Sequence, residues 1–159
     1  MPRLIRFTLV AVLIFQPSFG QESTVLGIWK LVSNEVEVQA SGEKSPVMGE
    51  KPSGFVAFTP EGRVFFVLTA DGRKAAKTDP ERAELFKTLV AYTGTYRAEG
   101  DKWSTKVDVA WNPEWVGTEQ VRSFNVDGER LQVLTPWRVM PNYADKGVTR
   151  NMLTFERSK

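Results

Sequence analysis

Leu26-Gly27-Ile28-Trp29-Lys30-Leu31-Val32-Ser33 is the stretch on which the reading of this chain turns. A glycine two positions ahead of a tryptophan lets the backbone turn tightly while the indole folds across whatever closes there, because glycine has no Cβ to obstruct the approach. From Ile28 to Gln39 the residues alternate as a strand does, with Trp29, Leu31, Ser33 and Glu35 on one face and Ile28, Lys30, Val32, Asn34, Val36 and Val38 on the other. Neither face is cleanly apolar, as expected of a barrel wall with one packed and one partly polar side.

The segments that follow read as turn-linked strands. Residues 40–53 lack periodicity and read as a long loop of the kind that often covers a site. Residues 54–58 and 63–68 flank Thr59-Pro60-Glu61-Gly62, a hairpin turn with Pro and Gly where turn geometry favours them. The stretch from Thr78 to Ala91 changes period. Thr78 or Asp79 can cap, Pro80 suits the first helical position, and Leu85, Phe86, Leu89 and Val90 form an apolar stripe, which predicts the one helix. Strands then follow at 93–98 and 102–110, joined by Glu99-Gly100-Asp101, and at 119–126 and 130–135, joined by Asp127-Gly128-Glu129, before a final strand at 148–157. The expectation is an all-β fold, an eight-stranded antiparallel up-and-down β-barrel with one α-helix between the third and fourth strands. Two packed sheets would give the same periodicity.

The residues ahead of the barrel read differently. Arg3 and Arg6 precede the apolar run Phe7 to Phe15, and Ser18 and Gly20 supply small residues at signal-peptidase spacing. A spanning helix needs roughly 20 apolar residues, more than this run offers. Residues 1–20 are therefore expected to be a signal peptide cleaved after Gly20, leaving 21–159 as a soluble exported domain, periplasmic or secreted.

Loss of Arg3 and Arg6 leaves 19 basic against 19 acidic residues, so the basic isoelectric point of the whole sequence is no pointer to nucleic acid or to an anionic membrane. The chain has no cysteine and no histidine. Disulfides, a lipid anchor on cysteine, thiolate chemistry and any serine–histidine–aspartate triad are thereby excluded. The scattered carboxylates lack the spacing of a calcium loop, so neither metal nor cofactor is expected.

Several further stretches carry a family resemblance: Phe58-Thr59-Pro60-Glu61-Gly62-Arg63, Tyr92-Thr93-Gly94-Thr95-Tyr96, Asn112-Pro113-Glu114-Trp115-Val116-Gly117-Thr118-Glu119-Gln120-Val121-Arg122 and Phe155-Glu156-Arg157. With the opening Gly-x-Trp, they resemble the bacterial and fungal lipocalin-like domain family of the calycin type, in the family's order over nearly the whole chain beyond the leader. The resemblance implies a barrel with a central cavity. Some barrel relatives bind apolar metabolites and a few act as cyclases. It also implies that Arg157 packs over the Trp29 indole.

Trp103, Thr105, Val107, Val109 and Trp111 alternate along one strand, and Gln120, Arg122, Phe124 and Val126 along the next. If these faces point inward, the interior is aromatic with an amide and a guanidinium set into it, the mix of a small-molecule pocket. The candidate ligand-binding residues are Arg122, Gln120, Phe124, Trp111, Trp103 and Tyr96. A buried arginine must be paired, so Arg122 either meets Glu35 or Glu119 or meets an acidic ligand. The expected partner is a small hydrophobic or amphipathic molecule. Two other functions remain open: a cyclase or isomerase in which Arg122 polarises a carbonyl while Tyr96 or Glu35 handles a proton, and a structural module with a filled core.

Overall fold

The computed structural model describes residues 25–159, and only the backbone of 141–143. The expected signal peptide, its cleavage point and the side chain of Tyr143 lie outside the described residues. Ten strands follow one another: β1 (Gly27–Val38), β2 (Lys44–Pro46), β3 (Ser53–Phe58), β4 (Arg63–Thr69), β5 (Leu89–Glu99), β6 (Lys102–Ala110), β7 (Glu119–Asp127), β8 (Arg130–Leu134), β9 (Arg138–Val139) and β10 (Val148–Arg157). The sheet order is β2-β1-β3-β4-β5-β6-β7-β8-β10-β9, and an additional β1–β10 pairing closes it into a barrel. Every paired neighbour is antiparallel. Eight strands therefore form the closed wall, and β2 and β9 are short additions at its ends.

The helix, α1 (Asp79–Phe86), follows β4 rather than standing between the third and fourth strands of the chain. The difference arises in residues 40–53, where Lys44–Pro46 turns back along Glu35–Glu37 as β2 instead of staying irregular. The helix is also shorter than its sequence suggested, and Leu89 and Val90 belong to β5. Its start is as expected: Thr78 accepts from the Glu81 amide, and the Glu81 side chain closes a capping box. Its stripe finds no core, however, because none of its residues is buried.

Two β-bulges decide which side chains face inward. In β1, Leu31 pairs with Phe155 and Ser33 with Thr154, so Val32 is an extra residue. Before it Trp29 and Leu31 are buried; after it the buried residues are Asn34, Val36 and Val38. In β6, Gly94 of β5 pairs with Val107 and Thr93 with Val109, leaving Asp108 extra. Val109, expected inside with Trp103, Thr105 and Val107, is turned out to solvent by that bulge. Gly94 is required opposite, since an added Cβ would collide with the Lys106 carbonyl.

The turns β3–β4, β5–β6 and β7–β8 share one end of the meander with the start of β1 and the finish of β10, and that end is closed. Trp29 is fully buried and donates from Nε1 to the Val25 carbonyl at 2.8 Å. The Arg157 guanidinium carbon lies 4.0 Å from the indole centroid, and Nη1 donates to the Leu26 carbonyl at 2.8 Å. Phe58, Tyr96, Trp103, Leu131 and Phe155 fill the interior near it. Longer connections, including the α1 segment and residues 111–118, stand at the opposite end.

Candidate ligand site around Arg122

The segment 111–118 sets the geometry of the site. Asn112 Oδ1 accepts from the Glu114 amide and caps a 3-10 turn over Pro113–Trp115. That turn swings Trp115 against Tyr92, ring centroids 5.4 Å apart, with Trp111 edge-on to Trp115 at 4.8 Å. Thr118 Oγ1 donates to the Trp115 carbonyl and accepts from Gln120 Nε2, each at under 3 Å. Gln120 Oε1 in turn accepts from Arg122 Nη2 at 3.2 Å. One continuous stretch of sequence thus builds a turn, an aromatic shelf and a hydrogen-bonded line to the guanidinium.

Arg122 is only 8% exposed, on the inward face of β7 beside Trp103 of β6. Its Nη1 donates to the Val121 carbonyl at 2.7 Å. No carboxylate among the described residues forms an ion pair with it. The expected bridge to Glu35 or Glu119 is absent: the Val32 bulge leaves Asn34 and Val36 as the inward residues flanking Glu35, and Glu119 is exposed. Burial lowers the Arg122 pKa from its ordinary value, the Tyr92 hydroxyl opposes that, and Arg138 on β9 pushes the same way as burial. An arginine stays protonated at neutral pH even so. The result is a buried cation with a second cation near it and only neutral acceptors.

Tyr92 is the partner that sequence reasoning missed as a site residue. Its phenol is pushed up to about 12, chiefly by burial and against the attraction of Arg122, so at neutral pH it is an intact O–H group. Its ring stacks on Phe66 at 4.6 Å, which makes Phe66, Tyr92, Trp115 and Trp111 a run of aromatic contacts from the core toward the rim. The available signal was the spacing Tyr92-x-Gly94-x-Tyr96, which puts all three on the inward face of one strand.

The other candidates divide between two regions. Gln120 bonds Arg122 directly, and Trp103 and Phe124 pack together at 5.2 Å beside it. Trp111 stands half-buried at the rim. Tyr96 lies in the closed end, its hydroxyl directed to the Thr59 carbonyl at 3.5 Å and its ring edge-on to Phe58. Several buried polar atoms have no partner among the described residues: Trp103 Nε1 and Thr105 Oγ1 on β6, Asn34 Oδ1 on β1, Thr149 Oγ1 and Asn151 Oδ1 on β10. Buried groups of this kind ordinarily find water or a ligand. A separate groove of about 720 Å³ beside α1 is lined by Asp71, Arg73, Lys74, Glu84 and Lys87 among others. All five of those side chains are exposed, so nothing there concentrates charge in a dry environment.

The model of the lipocalin-like domain matches residues 26–158, from the residue before the glycine of the clasp to one past its arginine. The chain belongs to the lipocalin-like domain family. No curated protein matches it. Lipocalin-like barrels hold small molecules as a class, and here the family's fold places among aromatic rings a guanidinium that no described carboxylate pairs. Among the described residues no three carboxylates gather where they could hold a metal ion, and no helix is long and apolar enough to cross a membrane.

Proposed function

We propose that this lipocalin-like protein binds a small amphipathic molecule whose acidic group meets Arg122 and whose apolar body lies along Phe66, Tyr92, Trp115 and Trp111. The observation that carries the reading is the buried Arg122 guanidinium with no carboxylate partner among the described residues, and with Arg138 adding positive charge beside it. A buried cation is expensive to leave uncompensated, and a ligand carboxylate would supply the missing charge while Tyr92 donates a further hydrogen bond. The aromatic run offers the apolar contact area that lines small-molecule sites, and Arg122 and Tyr92 are the polar groups that would fix orientation. The protein would act after export, the first 20 residues being removed as a signal peptide.

The test compares a fluorescent fatty acid with the corresponding neutral alcohol, on the wild type and on Arg122→Met. The acid should bind the wild type and lose about 10- to 100-fold in affinity in the variant, as expected for charge-assisted hydrogen bonds, while the alcohol changes little. Equal affinity of acid and alcohol for the wild type would remove the role given to Arg122. Intact mass of protein recovered from its native host should correspond to a chain beginning at Gln21; a mass including Met1 would end the export reading.

A further inference from the structure

The outside of the barrel carries a feature that ligand binding does not use. Ile28, Phe55, Phe65, Val67 and Val109 are 52%, 46%, 45%, 54% and 62% exposed. They are not scattered. The strand registers align Ile28 with Ala57, Ala57 with Phe65, Phe65 with Thr93 and Thr93 with Val109, one outward row across β1, β3, β4, β5 and β6. A second row beside it runs from Phe55 to Val67 to Ala91. Val109 completes the first row only because the Asp108 bulge turns it outward.

We propose that two copies of this chain pair through this face, strands of one barrel packed on strands of the other. The exposed apolar side chains, with Val32 on the same side of β1, amount to roughly 500 Å² per copy, at the upper end of what a monomer ordinarily leaves in one patch. Burying it on both copies removes about 1,000 Å², the least that a specific interface requires. The charges around it select a second copy over an anionic surface. Arg63 is held by both oxygens of Asp108, at 2.6 and 3.1 Å, and also bonds Thr93, while Lys30 lies 3.7 Å from Glu156. Arg63 and Lys30 thus each have an anion beside them, and Lys106, in the same row as Arg63, stands opposite Glu119 in the register, so the border of the face is of mixed sign. A nucleic acid or an anionic membrane would call for a positive one. A twofold axis through the face lets each Arg63–Asp108 pair meet its symmetry mate with opposite charges adjacent, and association stops at two because the patch is then consumed.

Sedimentation velocity on the full protein over a range of concentrations tests this. The wild type should show a concentration-dependent dimer; Phe65→Glu and Val67→Lys, each on the outer face and so compatible with the fold, should leave a monomer with an unchanged circular dichroism melt. Phe86→Lys, on α1 and in neither row, should dimerise as the wild type does. If Phe65→Glu fails to fold, Val109→Lys replaces it, since its side chain has the most room. A wild type that is monomeric up to its solubility limit, or a dimer that survives these substitutions, overturns the proposal. So does a monomeric wild type that sediments with phosphatidylcholine vesicles, which would assign the face to lipid.

Discussion

Arg157 lies over Trp29 across the seam where β10 meets β1, its guanidinium carbon 4.0 Å from the ring centroid, and the two residues are paired in the strand register. The pair closes the barrel twice, once through the backbone ladder and once through side chains. Each partner is also tied to the segment entering β1, Trp29 through the Val25 carbonyl and Arg157 through that of Leu26. Trp29→Ala should therefore lower unfolding stability by about 3–5 kcal/mol, as truncation of a large buried aromatic does. Arg157→Lys keeps the charge but loses the guanidinium that sits over the ring and bonds the Leu26 carbonyl, and should cost on the order of 1 kcal/mol. Urea midpoints measure both; an unshifted midpoint for Trp29→Ala would mean that the indole closes nothing.

Arg122 is expected to trade stability for binding. Replacing a buried ion pair by well-packed apolar side chains is often neutral or gains about 1–4 kcal/mol, and Arg122 is a buried cation with no carboxylate partner among the described residues to offset its desolvation. Arg122→Met should accordingly raise the melting temperature of the ligand-free protein while weakening acid binding. A lower melting temperature in the ligand-free variant would show that the Val121 and Gln120 contacts already compensate the charge.

Tyr92 should report on its burial through alkaline titration. Its pKa rises to about 12 in the fold against an ordinary value near 10, so the folded protein holds that proton more tightly than the unfolded chain. The stabilisation is fully present below the unfolded pKa and is lost as pH climbs through the folded one, a window from roughly pH 10 to 12. Ultraviolet absorbance should find a late tyrosine ionisation, and Tyr92→Phe should abolish the step that Tyr92 contributes and flatten the alkaline loss of stability.

Gly94→Ala should disturb the β5–β6 pairing at its bulge. The added methyl meets the Lys106 carbonyl, a backbone atom that cannot rotate away, and the expected loss is about 2–3 kcal/mol. Amide exchange at Val107, whose N–H bonds the Thr118 carbonyl, should quicken in the same variant. Wild-type exchange there would separate the glycine from the bulge.

The eight wall strands, the hairpins and the start of the helix were legible because each rests on local chemistry, the turn glycines and the capping box at Thr78, whereas β2 and β9 were not foreseen and Arg157 as partner of Trp29 came from the family resemblance. The inward faces were less so. Strict alternation placed Glu35 with Trp29 and Val109 with Trp103, and both assignments fail at an inserted residue, Val32 or Asp108, that shifts the period by one. Nothing in the local composition marks either insertion, since a bulge is defined by what stands on the neighbouring strand. The inward-facing set Gln120, Arg122 and Phe124 was readable because β7 contains no bulge. Tyr92 was not, because its contact with Arg122 spans strands that are not paired.

The β1–β10 seam also governs how the protein reaches its folded state. The Arg157–Leu26 hydrogen bond joins residues 131 positions apart, so the first wall strand must wait for the last before the sheet can shut. Until β10 arrives, β1 has one unpaired edge and the indole of Trp29 has no lid. Non-local closure of this kind slows folding and prolongs the life of open, adhesive intermediates. The seam that makes the finished barrel edgeless is thus the stage at which the nascent chain most needs protection from its neighbours.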